Sequence, residues 1–142
     1  MQAVLETPTR SKKSLWTGRG LSGLVAAFML LDAVMKLVKP EFVVKATAEL
    51  GYPESVIVGL GIVLGACTVL YLIPRTAILG AILLTGYLGG AVASHLRHGD
   101  GWFPVLFPVV FGVLLWGGLC LRDERLGTLL PVRRELKASL YE

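Results

Sequence analysis

The sequence predicts an all-α fold, namely a bundle of four transmembrane helices with a short interfacial helix between spans one and two. The chain has 142 residues, of which 54% are hydrophobic and only 17% are charged, and its mean hydropathy is +0.69. Ordinary soluble domains of this length carry more charge and less apolar surface. Four apolar stretches are each long enough to cross the roughly 30 Å of hydrocarbon in a bilayer. They cover residues 20–38, 55–73, 76–96 and 104–121.

The predicted spans divide the chain into three parts. A basic amino-terminal segment, 1–19, precedes the transmembrane domain, 20–121, and a basic tail, 122–142, follows it. The first segment lacks the short apolar run and the small-residue cleavage site of a secretory signal, so we expect the first span to be a retained helix. Both flanking segments are predicted to be cytoplasmic.

The distribution of positive charge predicts the orientation in the membrane. An even number of spans places both termini on one side, and that side has ten of the fourteen Lys and Arg residues. The other four are Lys36, Lys39, Lys45 and Arg97. Because cytoplasmic loops are enriched in Lys and Arg, we expect a multi-pass protein of the inner (plasma) membrane with both termini in the cytoplasm. The basic residues lie beside membrane ends, which favours membrane lipids over a nucleic acid as their partner.

The connections between spans restrict how the helices pack. The first contains "EFVVKATAEL", residues 41–50, which predicts a short helix that ends before Gly51 and Pro53 and is apolar enough to lie at the membrane interface. The second consists of Pro-Arg at 74–75. Such a short turn requires spans two and three to be antiparallel neighbours.

Two glycine pairs have the spacing of close helix contacts. Gly61 and Gly65 lie in span two, and Gly86 and Gly90 lie in span three. Small residues four positions apart allow helix backbones to approach each other in a bilayer. We therefore expect both pairs to be packing seams inside one bundle.

Span one contains two ionisable residues within the apolar run "LLDAVMKLV". Asp32 and Lys36 are four residues apart, so they lie on one face of the helix. An ionisable group inside a membrane costs several kcal/mol unless it is paired or hydrated. The spacing predicts an ion pair within this helix.

Span three has a polar face at the same depth. Tyr87, Ala91, Ser94 and His95 follow the i, i+4, i+7, i+8 pattern of one helical face. Spans one and three run in the same direction, which brings Ala91 to about the level of Asp32. The internal polar groups of both helices are therefore predicted to meet in the outer half of the membrane.

These observations predict a ligand-binding site formed by Asp32, Lys36, Tyr87, Ser94 and His95. A carboxylate, an ammonium, a phenol and an imidazole at one level can bind the polar head of a lipophilic molecule. In an acid–base enzyme, Asp32 and His95 would be the catalytic residues. The alternative is structural, a polar clasp of Asp32, Lys36 and His95 that holds spans one and three together.

Metal and thiol chemistry are not predicted. His95 and His98 are three residues apart with at most one nearby carboxylate, which falls short of a metal coordination shell. His98 lies past the apolar run and is expected to be solvated. Cys67 and Cys120 do not form a C-x-x-C pair, so we expect them to be small apolar packing residues. The sequence predicts no cofactor of the protein's own.

Four stretches of the sequence together resemble a known family. They are "LLDAVMKLV", "ELGYP", "LYLIPRTAILGAILLTGYLGGAVASHLRHGD" and "FPVVFGVLLWGGLCLRDERL", and they are similar to the DoxX-like family of small four-helix membrane proteins. The resemblance extends from Arg19 to Pro131 and is most specific at 71–76 and 89–95. Many relatives have a Glu near the position of Val63, so a role for that carboxylate does not carry over to this chain.

The resemblance implies the fold and also a class of function. The family takes its name from a small subunit of a thiosulfate:quinone oxidoreductase, and relatives are associated with membrane redox and stress functions. It therefore implies a quinone as bound ligand and an oxidoreductase subunit as partner.

Three functions are open on the sequence alone. We favour an accessory module that binds a quinone-like or other lipophilic small molecule in the outer half of the bundle and serves a membrane oxidoreductase. The second is a stand-alone isomerase, cyclase or hydrolase that uses Asp32 and His95 on a hydrophobic substrate. The third is a scaffold subunit or homo-oligomer that packs through its glycine pairs.

Overall fold

The computed structural model describes residues 11–123 and Leu126. All regular secondary structure in this part of the chain is helical, and four of the helices are long and apolar enough to cross a membrane. The predicted all-α fold with four transmembrane helices is therefore confirmed, and the chain is a multi-pass membrane protein. The helices are α1 (Lys12–Val38), α2 (Glu41–Glu49), α3 (Ile57–Leu72), α4 (Ala77–His98) and α5 (Trp102–Arg122), and a 3-10 turn (Glu54–Val56) leads into α3.

Helix α1 begins within the basic amino-terminal segment. The Ser11 hydroxyl caps it by accepting a hydrogen bond from the Ser14 backbone N–H at 3.3 Å. Its 27 residues form a rod of about 40 Å, longer than the hydrocarbon core, so α1 tilts or extends into the headgroup region. Most of the predicted basic tail, 124–125 and 127–142, lies outside the described residues.

The four long helices form a ring in which α1 and α4 are diagonal. Helix α1 packs on α3 and α5, and α4 packs on the same two helices from the opposite side. The turn between α3 and α4 is closed by Thr76, whose N–H donates to the Ile73 carbonyl at 3.0 Å and whose hydroxyl donates to the Leu70 carbonyl at 2.8 Å. The predicted antiparallel hairpin of spans two and three is present.

The end of the bundle that contains Ser22, Tyr71, Leu115 and Arg122, here called the packed half, is held together by a buried polar network. Tyr71 is fully buried. Its hydroxyl donates to the Leu115 carbonyl at 2.9 Å and lies 2.9 Å from Ser22 Oγ. Arg122 Nη2 donates to the Tyr71 carbonyl at 2.7 Å, and the guanidinium lies 4.6 Å from the ring centroid. This network joins α1, α3 and α5, and every hydroxyl in it has a partner.

The two glycine pairs differ from each other, and the prediction for one of them is wrong. A Cβ added at Gly61 would lie 2.9 Å from α1, and one at Gly65 would lie 3.7 Å from it, so this pair is the predicted packing seam. A Cβ at Gly86 or Gly90 would meet no atom within 4 Å in the part of the chain that the structure describes. The spacing is the same, but none of the described helices packs against the second pair.

Helix α2 forms where the sequence predicted a short helix. It is nine residues long, and the chain leaves it through Gly51, whose φ of 84° is a left-handed conformation that favours glycine. Glu41 and Lys45 form an ion pair of 3.0 Å on its surface, as their spacing predicts. The location of α2 at the membrane interface stays a prediction.

Candidate ligand-binding cavity

A cavity of about 510 Å³ lies in the half of the bundle that carries α2. It separates the diagonal helices α1 and α4, with α5 as a side wall and α2 across one end. We call this end of the molecule the cavity half. All five side chains predicted from the sequence line the cavity. They are Asp32, Lys36, Tyr87, Ser94 and His95.

On the α1 side, the cavity is lined by the predicted ion pair. Lys36 Nζ lies 2.5 Å from Asp32 Oδ1, and the two side chains are 17% and 38% exposed. Gly61 of α3 makes room for the Lys36 stem, because a side chain there would overlap it. Pairing within one helix lowers the cost of placing both charges at membrane depth. Lys36 uses one donor on Asp32 and retains further N–H donors.

On the α4 side, the cavity is lined by hydroxyl groups. Ser94 Oγ donates to the Gly90 carbonyl at 2.8 Å and lies 2.6 Å from the hydroxyl of Tyr52, which comes from the segment after α2. The Tyr87 hydroxyl, deeper along α4, has no hydrogen-bond partner among the described residues. It is therefore a donor that a ligand in the cavity can use.

His95 lies at the end of α4 and contacts the following turn. Its Nδ1 lies 2.5 Å from Asp100 Oδ2. Asp100 is brought back to His95 by Gly99, whose φ is 84°. His98 is exposed, as predicted, and its Nε2 lies 3.8 Å from the other oxygen of Asp100. The carboxylate of Asp100 thus orients His95 at the rim of the cavity.

The two proposed acid–base residues have separate partners. Asp32 pairs with Lys36, and His95 pairs with Asp100. Within 11–123, no hydrogen bond or ion pair joins Asp32 or Lys36 to His95. The groups face one cavity from diagonal helices, but they form neither a direct proton-transfer pair nor a direct clasp between spans one and three.

A cluster of three phenylalanines forms the apolar wall of the cavity. Phe28 lies 4.4 Å from Phe111 and 5.5 Å from Phe107 between ring centroids, in tilted and edge-on geometries. Phe28 and Phe107 are each 38% exposed, so the wall is not sealed by other side chains. The sequence interpretation missed these residues. The sequence did contain a sign of them. Phe107 and Phe111 are four residues apart, as are Phe28 and Asp32, so the members of each pair lie on one face of their helix.

Two open glycines of α4 border the cavity. Gly86 and Gly90 line it, whereas the neighbouring Gly89 does not. Both glycines are exposed, and the absence of two side chains on this side of α4 leaves the cavity open there. Sequence reasoning assigned these glycines to helix packing and so missed their contribution to the cavity.

The described structure does not bring the histidine, cysteine and carboxylate side chains together in one metal or thiol site. Among the residues that the structure describes, no group of three or more His, Cys, Asp and Glu side chains is arranged to hold a metal ion. Cys67 is buried in α3, and Cys120 is partly buried near the end of α5, both as free thiols.

Comparison with known proteins identifies a family. The sequence model of the DoxX-like family matches residues 20–118, a range that contains α3 and α4 completely, most of α1 and α5, and every cavity residue named above. Neither a curated protein nor a solved structure gives a match.

Proposed function

The chain belongs to the DoxX-like family of membrane proteins, and from this premise we propose that it binds a lipophilic small molecule with a quinone-like polar head in the cavity between α1 and α4. One observation carries the proposal. Hydrogen-bonding groups of α1 and α4 and an aromatic wall face the same space inside a membrane-spanning bundle. Asp32, Lys36, Tyr87, Ser94 and His95 are the residues that would contact the ligand.

The size of the cavity favours a small molecule. Its volume of about 510 Å³ falls within the range of roughly 300–1,000 Å³ typical of small-molecule sites. A lipid chain longer than the cavity would have to leave it, and the partial exposure of Phe28 and Phe107 marks the apolar side where it would emerge. The cavity therefore fits the head of a lipophilic molecule better than a whole long-chain lipid.

The polar groups favour a head with oxygen acceptors. The Tyr87 hydroxyl and the remaining N–H donors of Lys36 can donate to carbonyl oxygens, and the three phenylalanines offer ring faces and edges to a flat ring. A quinone has both features, so the residues present fit this group. When bound, a quinone supplies two-electron redox chemistry, and the side chains of this chain would hold and orient it.

The accessory role rests on the family premise. A partner oxidoreductase would exchange electrons with the bound molecule, and this chain would present it at the membrane. A stand-alone acid–base enzyme is less well supported, because Asp32 and His95 contact different partners. A purely structural scaffold does not require the polar cavity.

Filling the cavity tests the proposal. Gly90→Leu places a side chain in the cavity, and Gly89→Leu places the same side chain next to it on the outer surface of α4. We expect purified protein to bind ubiquinone-2 saturably, and we expect Gly90→Leu to weaken binding at least about tenfold, or about 1.4 kcal/mol. Gly89→Leu should bind like the parent protein. The proposal fails if the parent shows no saturable binding, or if both variants lose it equally.

A further inference from the structure

Helix α2 crosses the bundle from one diagonal helix to the other. It starts three residues after the end of α1, and the carbonyl of Leu50, the residue that follows α2, accepts a hydrogen bond from Arg97 at the end of α4. Along this path α2 closes the end of the cavity with mainly apolar side chains. Those that line the cavity are Phe42, Val43, Ala46 and Thr47, together with Leu50 directly after the helix.

Three contacts attach the end of this segment to α4, and we call them the latch. Arg97 Nη2 donates to the Leu50 carbonyl at 2.7 Å, and its guanidinium lies 5.7 Å from the centroid of the Tyr52 ring. The Tyr52 hydroxyl lies 2.6 Å from Ser94 Oγ. A cation at the carboxy-terminal end of a helix also interacts favourably with the helix dipole.

Burial contributes little to the attachment of α2. Thr47 is the one buried residue of this helix, Phe42 is largely exposed, and α2 packs extensively on none of the membrane-spanning helices. The flanking residues Lys39 and Gly51 both have left-handed φ values, 53° and 84°, at the points where the chain changes direction. Segments with few buried contacts open at lower free energy than the core does.

An ion pair that is not part of the latch joins the two ends of the segment that contains α2. Lys39 Nζ lies 2.7 Å from Glu54 Oε1, which joins the residue before α2 to the start of the 3-10 turn. Loss of the latch would therefore leave both ends of the segment in place while α2 moves away from α4.

From this arrangement we propose that α2 is a lid over the cavity and that Tyr52 and Arg97 are the residues that hold it closed. The consequence for ligand exchange rests on the proposed function: an open lid admits the lipophilic molecule, and the closed lid adds an apolar surface to its site. Because the closed lid contacts the ligand, a bound ligand shifts the equilibrium toward closure.

The lid can be tested without any ligand by the reactivity of a cysteine in the cavity. Cys67→Ala and Cys120→Ala remove both native thiols, and Ala91→Cys then introduces a single thiol on the wall of the cavity. The rate of its modification by N-ethylmaleimide in detergent is measured with the latch intact and with Tyr52→Phe or Arg97→Gln. We expect each latch variant to increase the rate about threefold to tenfold, the effect of one hydrogen bond on an opening equilibrium.

A second thiol position provides the control. Ala93→Cys lies on the exposed side of α4, outside the cavity, and its modification rate should be the same with and without the latch. An unchanged rate at Ala91→Cys in both latch variants would overturn the lid. An equal increase at Ala93→Cys would overturn it too, since it would indicate general loosening of the bundle. Failure of the proposed function is distinguished by the ubiquinone-2 titration of the parent protein: absence of saturable binding would refute that function, whereas the thiol rates test the lid without any ligand.

Discussion

Glycine and tyrosine occur in both halves of this bundle, but they are tightly packed in one half and open in the other. In the packed half, Gly80 of α4 allows the backbone of α3 to come so close that no side chain fits between them. In the cavity half, Gly86 and Gly90 of the same helix face open space. The Tyr71 hydroxyl is fully engaged between helices, whereas the Tyr87 hydroxyl has no partner in the described structure.

Under the proposed function, this contrast assigns stability to one half of the protein and ligand binding to the other. The packed half joins three helices through buried polar contacts and close backbone approach. In the cavity half, the charged pairs Asp32–Lys36 and His95–Asp100 are each formed within one helix or its adjoining turn. These charged pairs therefore do not join the diagonal helices directly, and the space between the two helices is open to a ligand.

The largest expected difference between the halves comes from adding one methyl group to α4. A Cβ at Gly80 would lie 2.2 Å from the Tyr71 backbone nitrogen, a contact that only a shift of α3 can relieve. We expect Gly80→Ala to destabilise the protein by more than about 3 kcal/mol or to prevent folding. Gly86→Ala, its matched control, should remain within about 1 kcal/mol of the parent. Thermal unfolding in detergent measures both, and equal destabilisation would remove the distinction between the halves.

A smaller difference is expected when one hydroxyl is removed from each half. Tyr71→Phe leaves the Leu115 carbonyl and Ser22 without their buried partner and should cost about 1–3 kcal/mol of stability. Tyr87→Phe breaks no hydrogen bond among the described residues, so the stability of the protein should change by less than about 0.5 kcal/mol. Instead it should weaken ubiquinone-2 binding about threefold to tenfold. Loss of stability without loss of binding in Tyr87→Phe would show that the hydroxyl is structural.

The sequence predicted those features that depend on periodicity along one helix. The spans follow from runs of apolar residues, the hairpin follows from the two-residue connection, and the Asp32–Lys36 pair follows from a spacing of four. The shared face of Tyr87, Ser94 and His95 has the same origin. All of these require only the geometry of a single helix or a short turn.

Features that depend on the register between helices could not be predicted in this way. The G-x-x-x-G spacing is the same in both pairs, although a neighbouring helix packs on Gly61 and open space lies beside Gly86. The aromatic wall joins α1 to α5, and the lid joins the end of α1 to α4, so neither exists until the helices are placed. Asp100 reaches His95 only because of the turn at Gly99.

The central claim is that the cavity half holds a lipophilic molecule, and native mass spectrometry of gently extracted protein tests it most directly. We expect the parent protein and Gly89→Leu to retain a lipophilic small molecule with a mass that is the same in both, and Gly90→Leu to lose it. A parent spectrum without such a molecule, or one in which Gly90→Leu retains it unchanged, would contradict the account.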